Sequence, residues 1–124
     1  MANTHNPSKR SGEGSVIHWD ANQTGLLLVN NLDPMSWYGV GTCKLSVRGT
    51  GWTGSITIKK RGQGSGNAGV TCIYQNGNTD TIVAAGTPIT GDGEFYIRAD
   101  ADDIILDYAH TGGSVDVTYY FRLG

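Results

Sequence analysis

The C-terminal run Val115-Asp116-Val117-Thr118-Tyr119-Tyr120-Phe121-Arg122 decides the fold class. Successive side chains of an extended chain point to opposite faces. Val115, Val117, Tyr119 and Phe121 therefore share one face, and Asp116, Thr118, Tyr120 and Arg122 the other. The run is rich in β-branched and aromatic residues, which suit a pleated, half-buried surface, and it has no helical 3.6-residue repeat. Large groups on both faces leave two readings open: a strand covered by a second sheet on one side and a neighbouring subunit on the other, or a partly exposed tyrosine. Tyr120 and Arg122 are accordingly candidate partner contacts.

The same period of two recurs upstream. Cys43, Leu45 and Val47 alternate with Lys44, Ser46 and Arg48, and Ile56 and Ile58 continue the pattern between Thr57 and Lys59. Val70, Cys72 and Tyr74 alternate with Thr71, Ile73 and Gln75, and Phe95 and Ile97 with Tyr96 and Arg98. Val16 to Trp19, Leu26 to Val29, Thr81 to Ala84 and Ile104 to Tyr108 supply further short apolar runs. Between them fall Gly49-Thr50-Gly51, Gly62 to Gly69, Gln75-Asn76-Gly77-Asn78, Gly91-Asp92-Gly93 and Thr111-Gly112-Gly113. Gly, Asn and Asp supply the positive φ of tight hairpins, so each of these segments is read as a turn between short strands. Short strands separated by regular turn signals predict an all-β, single-domain antiparallel sandwich or barrel over residues 15–124.

Composition narrows the function classes. The chain has 124 residues, 16% of them charged, 19 glycines and a net charge of −2. That balance gives no electrostatic case for nucleic acid or an anionic membrane, and no apolar run reaches the ~18 residues of a membrane span. Met1 to Gly14 is polar and without period, and reads as a flexible N-terminal arm that is either a loose tail or a partner-binding element. It lacks the apolar stretch of a secretory signal. Cys43 and Cys72 are expected as reduced thiols, and neither sits in a Cys-x-x-Cys pair.

Motifs that resemble chemistry lack its context. Gly49 to Gly54 and Gly64 to Gly69 both match G-x-G-x-x-G, but strand patterns follow them where a phosphate-binding helix would have to begin. Asp100, Asp102, Asp103 and Asp107 do not match an EF-hand, whose sixth and twelfth positions here hold Ile105 and Thr111. His5, His18 and His110 have no short ligand spacing, and no nucleophile elbow occurs. The expectation is a non-enzymatic protein with no metal and no cofactor. The aromatics offer more. Trp37 and Tyr38 follow Asp33-Pro34, and Trp52 sits in a Gly-rich segment. They either pack over the ends of the sandwich or form an exposed platform for a protein or a glycan.

From about Val40 onward the chain resembles the capsid decoration (cement) proteins of tailed bacteriophages, which have a jelly-roll-like β-sandwich. The residues that carry the resemblance are Gly51-Trp52-Thr53-Gly54-Ser55-Ile56-Thr57-Ile58 and Gly93-Glu94-Phe95-Tyr96-Ile97-Arg98. Ile104-Ile105-Leu106-Asp107-Tyr108 and Thr111-Gly112-Gly113-Ser114-Val115-Asp116-Val117-Thr118 extend it. The resemblance implies a virion structural protein that binds the major capsid protein on the outside of a phage head, as a homo-oligomer and most often a trimer, assembled in the bacterial cytoplasm. It also implies shell contacts from the arm, where Asn3, His5, Lys9 and Arg10 are the candidates, beside Trp37, Tyr38, Trp52, Tyr120 and Arg122. A tail or fibre module and a carbohydrate-binding module built on Trp37, Tyr38 or Trp52 are the alternatives.

Overall fold

A computed structural model describes residues 3–7, 14–30, 41–62, 69–100 and 102–123. In these residues the alternating runs pair into β1 (Thr4–Asn6), β2 (Ser15–Trp19), β3 (Gln23–Leu28), β4 (Gly41–Arg61), β5 (Val70–Thr71), β6 (Tyr74–Asn76), β7 (Thr81–Val83), β8 (Gly93–Arg98) and β9 (Asp103–Leu123). Every pairing is antiparallel. The sheet runs β1-β2-β9-β4-β8-β6-β7, with β3 also on β9 and β5 also on β4. The chain is all-β, as its periodicity predicts.

Two of the expected turns are not turns. Gly49-Thr50-Gly51 lies inside β4 and Thr111-Gly112-Gly113 inside β9, and each of these strands is 21 residues long. They pair from Gly41↔Leu123 to Arg61↔Asp103, with two register shifts, one on either side of the Thr53↔Gly112 pair. The buried positions change parity across it. Cys43, Leu45 and Val47 face inward before the break and Ile56 and Ile58 after it, while in β9 Ile104, Leu106 and Tyr108 give way to Val115, Val117, Tyr119 and Phe121. A bulge inserts a residue, bends the ribbon and resets which side chains face the core. The long ribbon thus turns a corner and passes through both layers of the domain. β1, β2, β8, β6 and β7 extend the layer built on Gly41–Thr50 and Ser114–Leu123; β3 and β5 extend the layer beyond the corner.

Local chemistry fits the corner. Gly113 has φ +71°, and a Cβ there would stand 2.6 Å from the Gly51 carbonyl oxygen, so no larger residue fits without moving backbone. Asp92 Oδ1 accepts the Gly49 N–H at 3.0 Å and the Trp52 indole N–H at 2.8 Å, which ties the 91–93 loop to the bend. Apolar side chains of both layers share one core. Trp19 from β2 is fully buried and stacks on Tyr108 across the layers, with ring centroids 4.7 Å apart and planes within 5°.

Two further expectations change. The arm expected over residues 1–14 contains β1, paired on β2 through Thr4↔His18 and Asn6↔Val16. Asn3 fastens its start, accepting the backbone N–H groups of Asp20 and Ala21 and donating to the Ala21 carbonyl. Polar composition hid this strand, because its stability comes from a backbone ladder and not from apolar burial. Residues 8–13 lie outside the described residues. The single strand read over Val70 to Gln75 is split into β5 and β6, which pair with β4 and with β7 and β8 respectively. Of the acidic cluster, Asp100, Asp103 and Asp107 have separate structural partners. Asp107 pairs with Lys59 at 2.8 Å, Asp103 lies 3.8 Å from Arg61, and Asp100 lies 3.3 Å from Arg98.

Candidate functional site

Alternation sends the residues between the core positions to the outer face of the first layer, and the ladder aligns them. Lys44 on β4 sits opposite Tyr120 on β9 and Tyr96 on β8, and Tyr96 sits opposite Gln75 on β6, which pairs with Ile82 on β7. One step along the strands, Thr42 lies between Arg122 and Arg98. Cross-strand neighbours interact directly at this spacing. The Lys44 ammonium is 5.9 Å from the Tyr96 ring centroid and 6.0 Å from that of Tyr120, the range in which a cation is attracted to a ring face. Such contacts are worth about 0.5–1 kcal/mol at exposed sites, enough to position Lys44 but too little to hold the fold.

Beside this row an open groove of about 610 Å³ crosses the sheet. Thr42, Tyr96, Arg98 and Arg122 line it from β4, β8 and β9, and Ile73, Gln75, Asp80 and Ile82 line it from in and around β6 and β7. Ile73 and Ile82 are exposed apolar groups there, at 59% and 65%. Gly77 shapes the groove: a Cβ on it would stand 2.5 Å from Tyr96 Cε2, so the tyrosine lies against bare backbone at the β6–β7 turn. Arg98 lies near Asp100, whereas the exposed Arg122 makes no ion pair with the described residues. Among the described residues the groove therefore presents guanidinium groups, exposed apolar surface and one lining carboxylate, on a chain whose net charge is −2.

The sequence-selected residues are distributed unevenly around this site. Tyr120 and Arg122 stand on the groove's face, Arg122 in its wall. Trp52 is elsewhere, half-buried at the corner with its N–H given to Asp92 and its ring tilted against Tyr108 at 6.3 Å. That is the packed reading of Trp52, and it takes the residue away from an open platform. Asn3 and His5 hold β1 to the domain, their polar atoms turned to the Asp20–Asn22 backbone and to Tyr119. Lys9, Arg10, Trp37 and Tyr38 lie outside the described residues. Lys44, Tyr96, Arg98, Gln75 and Ile82 were not singled out as site residues. The outward positions of Lys44, Tyr96, Arg98 and Gln75 were readable from alternation, but the exposure of the apolar Ile82 and the adjacency of all five were not. Among the described residues no cluster of His, Cys, Asp or Glu is arranged to hold a metal ion. Cys43 and Cys72 are free thiols, and burial pushes both pKa values up, away from the reactive thiolate.

The pKa values of the two histidines near β1 are shifted in opposite directions. His18 Nδ1 is 2.6 Å from Asp116 Oδ1, and its Nε2 is 3.7 Å from Asp20 Oδ2, a carboxylate with no hydrogen-bond partner among the described residues. The hydrogen bond to Asp116 raises the His18 pKa above 6.5, against an opposing effect of burial. His5 Nε2 and the Tyr119 hydroxyl share a hydrogen bond of 2.6 Å, and burial lowers the His5 pKa below 6.5. A raised histidine contributes stability that is complete below the unfolded value and fades as pH rises through the folded one; a lowered histidine loses stability as pH falls through its folded value. His18→Gln is therefore expected to destabilise more at about pH 5.5 than at about pH 8.5, and His5→Gln more at about pH 8.5 than at about pH 5.5. Urea unfolding across that range checks both signs, and parallel pH profiles for the two variants would contradict the assignment.

No family model, curated protein or solved structure matches this chain.

Proposed function

We propose that this protein is a non-enzymatic virion structural protein of the decoration type, which docks on the outer surface of a phage head through the face that carries Tyr120, Lys44 and Tyr96. The observation that supports this reading is the cross-strand row itself. A cation held between two tyrosines, beside a groove walled by Arg98, Arg122, Ile73 and Ile82, is set on strands whose inner faces are locked in the core. Aromatic and arginine side chains on a rigid scaffold are what protein interfaces use as anchors. Docking needs no reactive group, and in a symmetric oligomer repeated weak contacts add through avidity.

The test mixes the full chain with bare, expanded heads built from the major capsid protein of the virus that carries this gene, followed by sedimentation. Wild-type protein is expected to pellet with the heads. Lys44→Glu, which places a carboxylate between the tyrosines, is expected to weaken that binding about tenfold, as the loss of a desolvated charge contact does. A wild-type protein that stays in the supernatant overturns the decoration reading. Binding to a glycan array, lost in Tyr120→Ala, would move the assignment to a carbohydrate-binding module.

A further inference from the structure

We infer that the groove beside Tyr96 takes an extended, acidic segment of a partner protein, with Arg122 and Arg98 gripping two of its carboxylates and Ile73 and Ile82 receiving its apolar side chains. This rests on the docking reading and names the chemistry that the docked partner must supply.

Charge complementarity carries the inference. The chain has 11 acidic and 9 basic side chains, yet the groove gathers Arg98 and Arg122 with Lys44 alongside, and among the described residues Asp80 is the one carboxylate that lines it. A local excess of one charge on a chain of the opposite sign selects an oppositely charged partner and speeds its approach. The guanidinium group matches a carboxylate in plane and in donor spacing. Arg122 is the readier of the two, being free of any ion pair with the described residues, while Arg98 would exchange the exposed Asp100 for the ligand.

Spacing narrows the ligand further. Arg122 and Arg98 flank Thr42 on adjacent strands, which sets their backbones roughly 10 Å apart, two inter-strand distances. An extended peptide repeats same-side side chains at about 7 Å, a gap that long arginine side chains span. A single phosphate would instead need donors converging on one point. A sugar would need an open aromatic face, but the Tyr96 ring has the Lys44 ammonium on its β4 side and Gly77 against its β6 side. The exposed Ile73 and Ile82 side chains across the groove give an amphipathic segment something apolar to cover.

The experiment measures fluorescence anisotropy with the full chain and a labelled, end-blocked peptide of alternating Leu and Glu, against the same peptide with Gln for Glu. The Glu peptide is expected to bind at least about tenfold more tightly, with the preference shrinking between about 50 mM and about 300 mM salt. Arg98→Gln with Arg122→Gln should abolish the preference. Ile82→Ser should weaken both peptides alike. Arg48→Gln, which removes one arginine charge further along the same face, should leave the preference intact. Equal binding of the two peptides, or a preference that survives the double arginine variant, overturns the inference, as does polygalacturonate displacing the Glu peptide more effectively than unlabelled peptide does. Heads separate the two readings. If the double arginine variant sediments with them as well as wild type, the groove assignment falls and the decoration reading stands. If a protein with the carboxylate preference never binds heads, the decoration reading falls and the groove assignment stands.

Discussion

Trp19→Ala is expected to lower the unfolding free energy by about 3–5 kcal/mol, the usual cost of truncating a large buried aromatic. The indole has no exposed surface and lies parallel to Tyr108 at 4.7 Å. Trp19 belongs to β2 and Tyr108 to the part of β9 beyond the corner, so the stack joins the two layers. Removing it leaves a cavity between them and frees one face of a tyrosine that also meets Trp52. Trp19→Phe should recover part of the loss, since a smaller ring keeps some of the stacking while giving up the N–H that Gln23 accepts. Urea denaturation of the three proteins is the measurement. An Ala variant within about 1 kcal/mol of wild type would mean that the layers are not held at this point.

Gly113→Ala is expected to cost about 3 kcal/mol, the sum of left-handed backbone strain and overpacking. The new Cβ would meet the Gly51 carbonyl oxygen and the Trp52 Cα, each at 2.6 Å, and both are backbone atoms that cannot rotate away. The control is Gly86→Ala. Gly86 has φ +88° and nothing within 4 Å of its added Cβ, so strain alone acts there. That variant should lose about 1 kcal/mol. Thermal unfolding should therefore rank wild type above Gly86→Ala and Gly86→Ala well above Gly113→Ala. Equal losses would show that the close approach of β9 to β4 at the corner is not what requires glycine. Because the corner lies away from the groove, a folded Gly113 variant should keep the groove's ligand preference.

The outer face shows how far sequence reading reaches. Tyr120 and Arg122 were identified from one strand, since Val117, Tyr119 and Phe121 mark the opposite side as interior. Tyr96 and Arg98 stood in the same relation to Phe95 and Ile97, and Lys44 to Cys43 and Leu45. Nothing local says that β9, β4 and β8 lie side by side in that order. Lys44 meets Tyr120 because ribbon pairing brings distant parts of the chain together, and it meets Tyr96 because β8 takes the other edge of β4. Trp52 carried two readings, packed or open to a partner, and its indole N–H goes to Asp92, in a loop far along the chain, as the packed reading requires.

By itself, the sequence determined the fold class and, on β4, β8 and β9, which side chains face outward. Both follow from a period of two and from the cost of leaving apolar groups in water, which act within a few residues. Tertiary structure decided what the glycines do. Gly49-Thr50-Gly51 and Thr111-Gly112-Gly113 carry hairpin chemistry, yet both lie within long strands that bend together, because glycine serves a turn and a bulge equally well. Tertiary structure also fixed β1, whose polar residues advertise no strand, and it assembled the groove from β9, β4, β8, β6 and β7. Those outcomes depend on hydrogen-bonded ladders between segments remote in sequence and on one core shared by both layers, and no short window of residues encodes either.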